Sequence, residues 1–201
     1  MTTEAERWNH NIHYHRLVLD AVPLDAKNAL EVGCGEGLLA RRLHRIVPQV
    51  VGIDTDGPSI MMARARTPDG DVDYVHDDFL THPFTLGSFD VIVSVAAVHH
   101  MDAAPALKRM RDLLLPGGTL VIVGLARSQL PADIPIEVAS AITSLAANSA
   151  HRLTKSYWQH PSPTVWPPPE TYRDMRRLAA QLLPGSRYRR HLLWRYSIVW
   201  T

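Results

Sequence analysis

Three clusters in the first half of the chain have residue types suited to holding a nucleoside. The segment Glu31-Val-Gly33-Cys-Gly35-Glu-Gly37 follows a short apolar run and opens a stretch of helical spacing. Glycines there let the chain turn tightly, let a ligand approach the backbone, and let helix pack against strand. On its own such a loop can be an ordinary turn. Asp54 closes the next apolar run, nineteen residues after Gly35, where a carboxylate can accept both hydroxyls of a ribose. Asp77-Asp78 close the third run, where a carboxylate can accept from the amino group of a base. Three markers in register are much harder to obtain by chance than one.

The glycine spacing separates two kinds of nucleoside. A dinucleotide needs G-x-G-x-x-G, so that its pyrophosphate rests on the helix N-terminus. Here the order is G-x-G-x-G, followed by Leu38-Leu39, and both Glu31 and Glu36 bring negative charge to the loop. Two carboxylates repel a pyrophosphate and suit a ligand carrying a sulfonium and an ammonium. That favours S-adenosylmethionine and disfavours an NAD-dependent oxidoreductase.

Such a loop works only if strands and helices hold it at the edge of a sheet. Short β-branched runs read as buried strands at Ala29–Val32, Val50–Ile53, Val72–Val75, Asp90–Ser94 and Thr119–Val123. Between them, Leu39, Leu43, Ile46 and Val47, then Leu107, Met110 and Leu114, recur at helical spacing. The alternation implies parallel strands with helices on both faces, and right-handed crossovers then leave a doubly wound sheet. Residues 4–20 read as one helix before the first strand. Ile134, Val138, Ala141, Ile142 and Leu145 suggest an amphipathic helix after the fifth. His160–Pro169 is too rich in proline to be regular. A helix near 170–183 follows, and Tyr188–Trp200 reads as an antiparallel hairpin turning near Trp194.

Taken together, Ala29-Leu-Glu-Val-Gly-Cys-Gly-Glu-Gly, Val51-Gly-Ile-Asp, Phe89-Asp-Val-Ile-Val-Ser and Leu115-Pro-Gly-Gly-Thr-Leu resemble the class I S-adenosylmethionine-dependent methyltransferases of the type 11 kind. The resemblance covers roughly residues 28–124. It implies a Rossmann-like, seven-stranded, mostly parallel α/β sheet with its last strand antiparallel. It also implies that Gly33, Gly35 and Gly37 cradle the methionine and ribose, that Glu31 reaches the ammonium, and that Asp54 holds the ribose. Asp78 would take the adenine amino group, and Phe79 would line the adenine. Ser94, near the end of the fourth strand, is grouped with the donor-binding residues. The resemblance says nothing of residues 128–170 or of the acceptor.

The acceptor side must be argued from the residues. After the fourth strand the chain reads Ser94-Val-Ala-Ala-Val-His99-His100-Met-Asp102. The Asn/Asp-Pro-Pro-aromatic segment of amino methyltransferases acting on DNA bases is not there. The lone cysteine, Cys34, lies in the donor loop, where it cannot serve as a pyrimidine nucleophile. Nucleic acid is therefore disfavoured, and the net charge of +1 agrees. His99 or His100 could act as general base on a hydroxyl or ring nitrogen. The alternative is a loop histidine beside a helix that begins near Asp102. Methyl transfer from a sulfonium mainly needs positioning and desolvation, so a base can be absent. His10, His13 and His15 lack the i, i+4 spacing of helical metal ligands. Tyr14 or His15 could instead meet the donor's carboxylate from a lid, while Trp158 and Trp166 could wall an acceptor pocket or serve as structural props.

At 201 residues the chain fits one domain. It divides into an N-terminal helical lid (1–22), a donor-binding core (28–124), an acceptor-side insertion (128–170), and a final helix with hairpin (171–201). The single cysteine suits the cytoplasm, and no apolar run suggests a signal peptide or a membrane span. The expectation is a methyltransferase acting on a small molecule. The alternative is a non-catalytic partner subunit that binds the same donor.

Overall fold

The expected strand–helix alternation is realised in a computed structural model that describes residues 7–151, 156–157 and 165–201. After β1 (Arg7–Trp8), α1 (His10–His13) and α2 (His15–Leu19), the sheet begins with β2 (Asn28–Val32). It continues through α3 (Leu38–His44), β3 (Gln49–Asp54), α4 (Gly57–Ala65), β4 (Asp73–His76) and β5 (Phe89–Val95). A 3-10 turn (Val98–His100), α5 (Ala103–Leu113) and β6 (Leu114–Gly124) complete the parallel part. Then come α6 (Ile134–His151), β7 (Ser156–Tyr157), α7 (Tyr172–Leu182), β8 (Arg187–His191) and β9 (Arg195–Trp200).

The seven-stranded sheet runs β4-β3-β2-β5-β6-β9-β8. Pairing is parallel from β4 to β6, while β9 is antiparallel to both β6 and β8. The chain leaves β2 toward β3 and returns on the other side at β5, so the topological switch point lies between β2 and β5. Ligands of open α/β sheets bind outside the carboxyl ends of strands at that point. Strand alternation sorts the core onto two faces. Leu30, Val32, Ile92 and Ile122 pack under Leu107, Met110 and Met175, while Ala29, Val91, Val93 and Val123 pack under Leu39, Leu43 and Ile60.

Local chemistry sets the helix starts. Asp56 caps α4, accepting from the Ser59 amide at 3.1 Å, and Asp102 caps α5 through Ala104 at 3.2 Å. Thr171 and Asp174 form a reciprocal capping box on α7.

One expectation needs correction. Of the single helix read over 4–20, residues 4–6 lie outside the described residues, and the rest forms a two-residue strand and two short helices broken at Tyr14. Asn9 nucleates the first helix by accepting from the amides of Asn11 and Ile12, and β1 pairs with β7. The amphipathic helix expected after the fifth strand of the sequence reading is α6, and its apolar residues Ile134, Val138, Ile142 and Leu145 are exposed. Its inward face carries Glu137, Ser140 and Ser144, spaced i, i+3, i+7, and these bond to the body of the protein or are buried against it.

Candidate functional site

All three loop glycines adopt left-handed φ, +75° at Gly33, +51° at Gly35 and +77° at Gly37. At Gly33 a Cβ would lie 2.1 Å from the Cβ of Ala97, so the segment after β5 closes directly on the loop after β2. At Gly37, which caps α3, a Cβ would meet the Tyr74 hydroxyl at 2.2 Å. Both positions need glycine for close approach as well as for backbone hand.

Carboxylates organise the loop. Asp54 accepts from the Gly35 amide at 2.8 Å through Oδ2 and from the Asp56 amide at 2.9 Å through Oδ1. Each oxygen keeps a further lone pair for a ligand. Glu31 shares the sheet face of Ala29 and is buried, 3% exposed, near the Ala40 amide in the first turn of α3. A carboxylate at a helix N-terminus compensates the orphan amides there. Burial first, and then the charge of Asp54, hold the Glu31 carboxyl well above the usual carboxylate range. Its Oε2 is buried without a hydrogen-bond partner among the described residues.

Glu36, read from the sequence as bringing negative charge to the loop, has that charge matched from within the protein. It is buried and ion-paired with Arg7, at 2.8 Å, and with Arg66. Its charge is therefore spent on tying β1 and the end of α4 to the glycine loop. At the next strand, Asp78 is exposed and accepts from the Leu80 amide at 2.8 Å, while Asp77 pairs with His82 at 2.7 Å. Phe79 is buried in the core, with the Arg109 guanidinium 5.5 Å from its ring centre.

Three other sequence candidates have different partners. The Ser94 hydroxyl is fully buried and donates to the Val32 carbonyl at 3.0 Å, locking the tips of β5 and β2 together. The Tyr14 hydroxyl donates to the Leu192 carbonyl at 2.7 Å. His15 is buried with Nδ1 3.1 Å from Arg42, and its pKa is lowered to about 3 by burial and by that guanidinium. Trp158 lies outside the described residues, and Trp166 is exposed.

The two site histidines stand side by side, ring centres 4.1 Å apart. His99 is the buried member, with no partner on Nδ1 among the described residues. Burial, His100 and Arg195 lower its pKa to about 4, so it is neutral at pH 7. His100 is exposed, and partial burial of its ring lowers its pKa against the opposing pull of the Asp54 charge. Sequence reasoning missed Arg195. Arg195 is 6% exposed at the start of β9, beside the tip of β6, and both its Nε and Nη2 donate to Asn11 Oδ1 at 3.0 and 2.6 Å. A charged residue opening the apolar strand Tyr-Ser-Ile-Val-Trp was the available signal. Two clefts, about 680 Å³ beside Trp8 and Arg42 and about 350 Å³ between α7 and β8, are lined by none of Glu31, Asp54, His99 and Arg195.

This strand order, with a glycine loop and carboxylates at the switch point, defines a class I Rossmann-like nucleoside-binding fold. Known proteins narrow the class. A family profile described as a methyltransferase domain matches residues 30–122. An uncharacterized methyltransferase of Mycobacterium tuberculosis is 38% identical over 194 residues, covering 96% of each chain. The ubiquinone biosynthesis O-methyltransferase of Albidiferax ferrireducens is 29% identical over 139 residues, 66% of this chain and 55% of that one. Among solved structures, a phosphoethanolamine N-methyltransferase of Haemonchus contortus, in complex with S-adenosylhomocysteine, superposes with a TM-score of 0.62. It is 20% identical and covers 90% of this chain and 38% of its own, a likeness of fold. The chain belongs to the S-adenosylmethionine-dependent methyltransferases.

The residues present fit that donor. An unpartnered buried carboxylate oxygen on Glu31 suits an ammonium, and Asp54 keeps acceptor capacity at the mouth of the loop. No helix among the described residues is long and apolar enough to cross a membrane.

Proposed function

We propose that the enzyme methylates an oxygen or nitrogen of a small molecule in the cytoplasm, with the acceptor held between α1, the Val98–His100 turn and the β8–β9 turn. Glu31 takes the donor's ammonium, Gly33, Gly35 and Gly37 admit its methionine and ribose, Asp54 holds the ribose hydroxyls, and Asp78 holds the adenine amino group. S-adenosylmethionine supplies an electrophilic methyl on a sulfonium, and the protein's task is alignment and exclusion of water. Arg7, drawn onto Glu36 at 2.8 Å, brings the N-terminal segment over the glycine loop, which supports its role as a cover.

The observation that carries the acceptor reading is His99. It is buried at the switch point, neutral at pH 7, and has an unengaged ring nitrogen. Such an imidazole can receive the proton of an acceptor hydroxyl or amine. Ser94, Tyr14 and His15 support this arrangement from outside, each through its own bond.

The donor assignment is tested by calorimetry with S-adenosylhomocysteine. Asp54→Ala should weaken binding by about 1.5–3 kcal/mol, the range for hydrogen bonds to a charged group. Unchanged affinity in a folded variant would remove Asp54 from the donor site. Release of S-adenosylhomocysteine against a panel of hydroxylated and aminated metabolites then identifies the acceptor.

A further inference from the structure

Arg195 is a buried cation whose charge the described part of the protein does not match. Its guanidinium donates through Nε and Nη2 to Asn11 Oδ1, and through Nη1 to the carbonyls of Leu193 and Trp194 at 3.1 and 3.2 Å. These bonds use four of the five N–H groups and leave one on Nη2. Every acceptor is a neutral dipole. Among the described residues, Arg195 makes no ion pair with a carboxylate. The groups that act on its charge are the phenols of Tyr172, Tyr14 and Tyr157.

Two other arginines taken out of solvent meet carboxylates. Arg7 is paired with Glu36, and Arg190 with Asp133 and Glu137. Burial of Arg195 without such a partner is costly enough to lower its pKa to about 10, although it remains charged at pH 7. The fold also goes out of its way to hold it. Leu193 and Trp194 both adopt φ of +56°, a conformation side chains disfavour, and their carbonyls face the guanidinium. The charge is felt at His99 and His10. Around it lie the polar inner face of α6, with Ser144 bonded to His10 at 3.1 Å, and the unengaged nitrogen of His99.

We propose that Arg195 binds a carboxylate on the acceptor, so that the substrate is a small monocarboxylic acid presenting its nucleophilic oxygen or nitrogen to His99. One uncompensated positive charge calls for one negative charge. A phosphate dianion would exceed it. The one N–H left on Nη2 can donate a charge-assisted hydrogen bond to a carboxylate oxygen. This inference rests on the acceptor reading above, with the donor bound by the glycine loop.

The test uses the full chain saturated with S-adenosylhomocysteine, titrated at constant ionic strength with benzoate, benzamide and phenyl phosphate. Benzoate should bind at least tenfold more tightly than benzamide and more tightly than phenyl phosphate. Asn11→Asp places an internal carboxylate against the same guanidinium without removing it. That variant should melt at higher temperature than the wild type and lose the preference for benzoate. Arg195→Gln should lose the preference too. If Arg195→Gln fails to fold, Asn11→Asp decides alone. Wild-type protein that binds S-adenosylhomocysteine yet does not discriminate benzoate from benzamide would overturn the inference and leave the donor assignment standing. Benzoate preference surviving in Asn11→Asp, or phenyl phosphate binding best, would overturn it as well. Failure to bind S-adenosylhomocysteine would instead overturn the donor reading on which it rests.

Discussion

The donor side and the acceptor side of the switch point are built in opposite ways. On the donor side the contacts come from two successive βαβ units: Asp54 to Gly35, nineteen residues apart, and Tyr74 against Gly37. On the acceptor side they join the ends of the chain: Asn11 to Arg195 and Tyr14 to Leu192, 184 and 178 residues apart. Their unbalanced charges differ in sign. The donor side buries a carboxylate, Glu31, that is held toward its protonated form. The acceptor side buries an arginine and several histidines, and the histidines are held neutral. A cationic donor and an anionic acceptor would each meet the charge it needs.

The sharpest break in this comparison comes at the close approach of Gly33 and Ala97. Gly33→Ala adds left-handed strain of about 1–2 kcal/mol and overpacking of about 1–3 kcal/mol. Gly70, at φ +87° with nothing within 4 Å of an added Cβ, supplies the control for strain alone. Thermal melts should show the larger loss for Gly33→Ala, by roughly 2–12 °C at about 2–4 °C per kcal/mol. Equal losses would mean that the segment after β5 does not clamp the donor loop.

The same contrast explains what was legible in the sequence. The glycine spacing, Asp54 and the strands around them were readable because they are local, and the hairpin turn near Trp194 showed in the Tyr188–Trp200 pattern. Periodicity found α6 as an amphipathic helix but did not say which face meets the protein, and Ile134, Val138 and Ile142 are exposed. Here the inner face meets Arg190, Trp194 and His10, which want Glu137 and Ser144. The partners of Glu36 were not legible because Arg7 and Arg66 are distant in sequence. Arg195 was invisible as a site residue because its burial depends on a segment more than 180 positions away.

Acid provides a graded test. His99 and His15 have folded pKa values of about 4 and about 3, below the ordinary 6.5 that the unfolded chain shows. The unfolded state therefore binds more protons between these values. The contribution is complete above pH 6.5 and is lost as pH falls through the folded values. Each histidine removes up to about 1.4 kcal/mol per pH unit inside that window. Hydrogen exchange at pH 7 and pH 5 should show α1 and α2 losing protection before β2 and β3. Uniform loss across the sheet would mean that these histidines are not what acid attacks.

Glu31 has the opposite sign and the smallest effect. Its folded pKa is raised above the ordinary 4.5, so the folded state keeps a proton that the unfolded chain has lost. That contribution is complete below the unfolded value and disappears as pH rises through the folded one. Glu31→Gln imitates the protonated form, and it should leave the melting temperature nearly unchanged at pH 4 while raising it at pH 8. Donor binding should act on the same proton. An ammonium placed against Oε2 favours the carboxylate, so S-adenosylhomocysteine binding should release a fraction of a proton from the wild type. Calorimetry in two buffers of different ionisation enthalpy reads that release directly. Glu31→Gln should bind more weakly and release none. Equal proton release from both proteins would place the ammonium elsewhere, and the carboxylate would then serve only the first turn of α3.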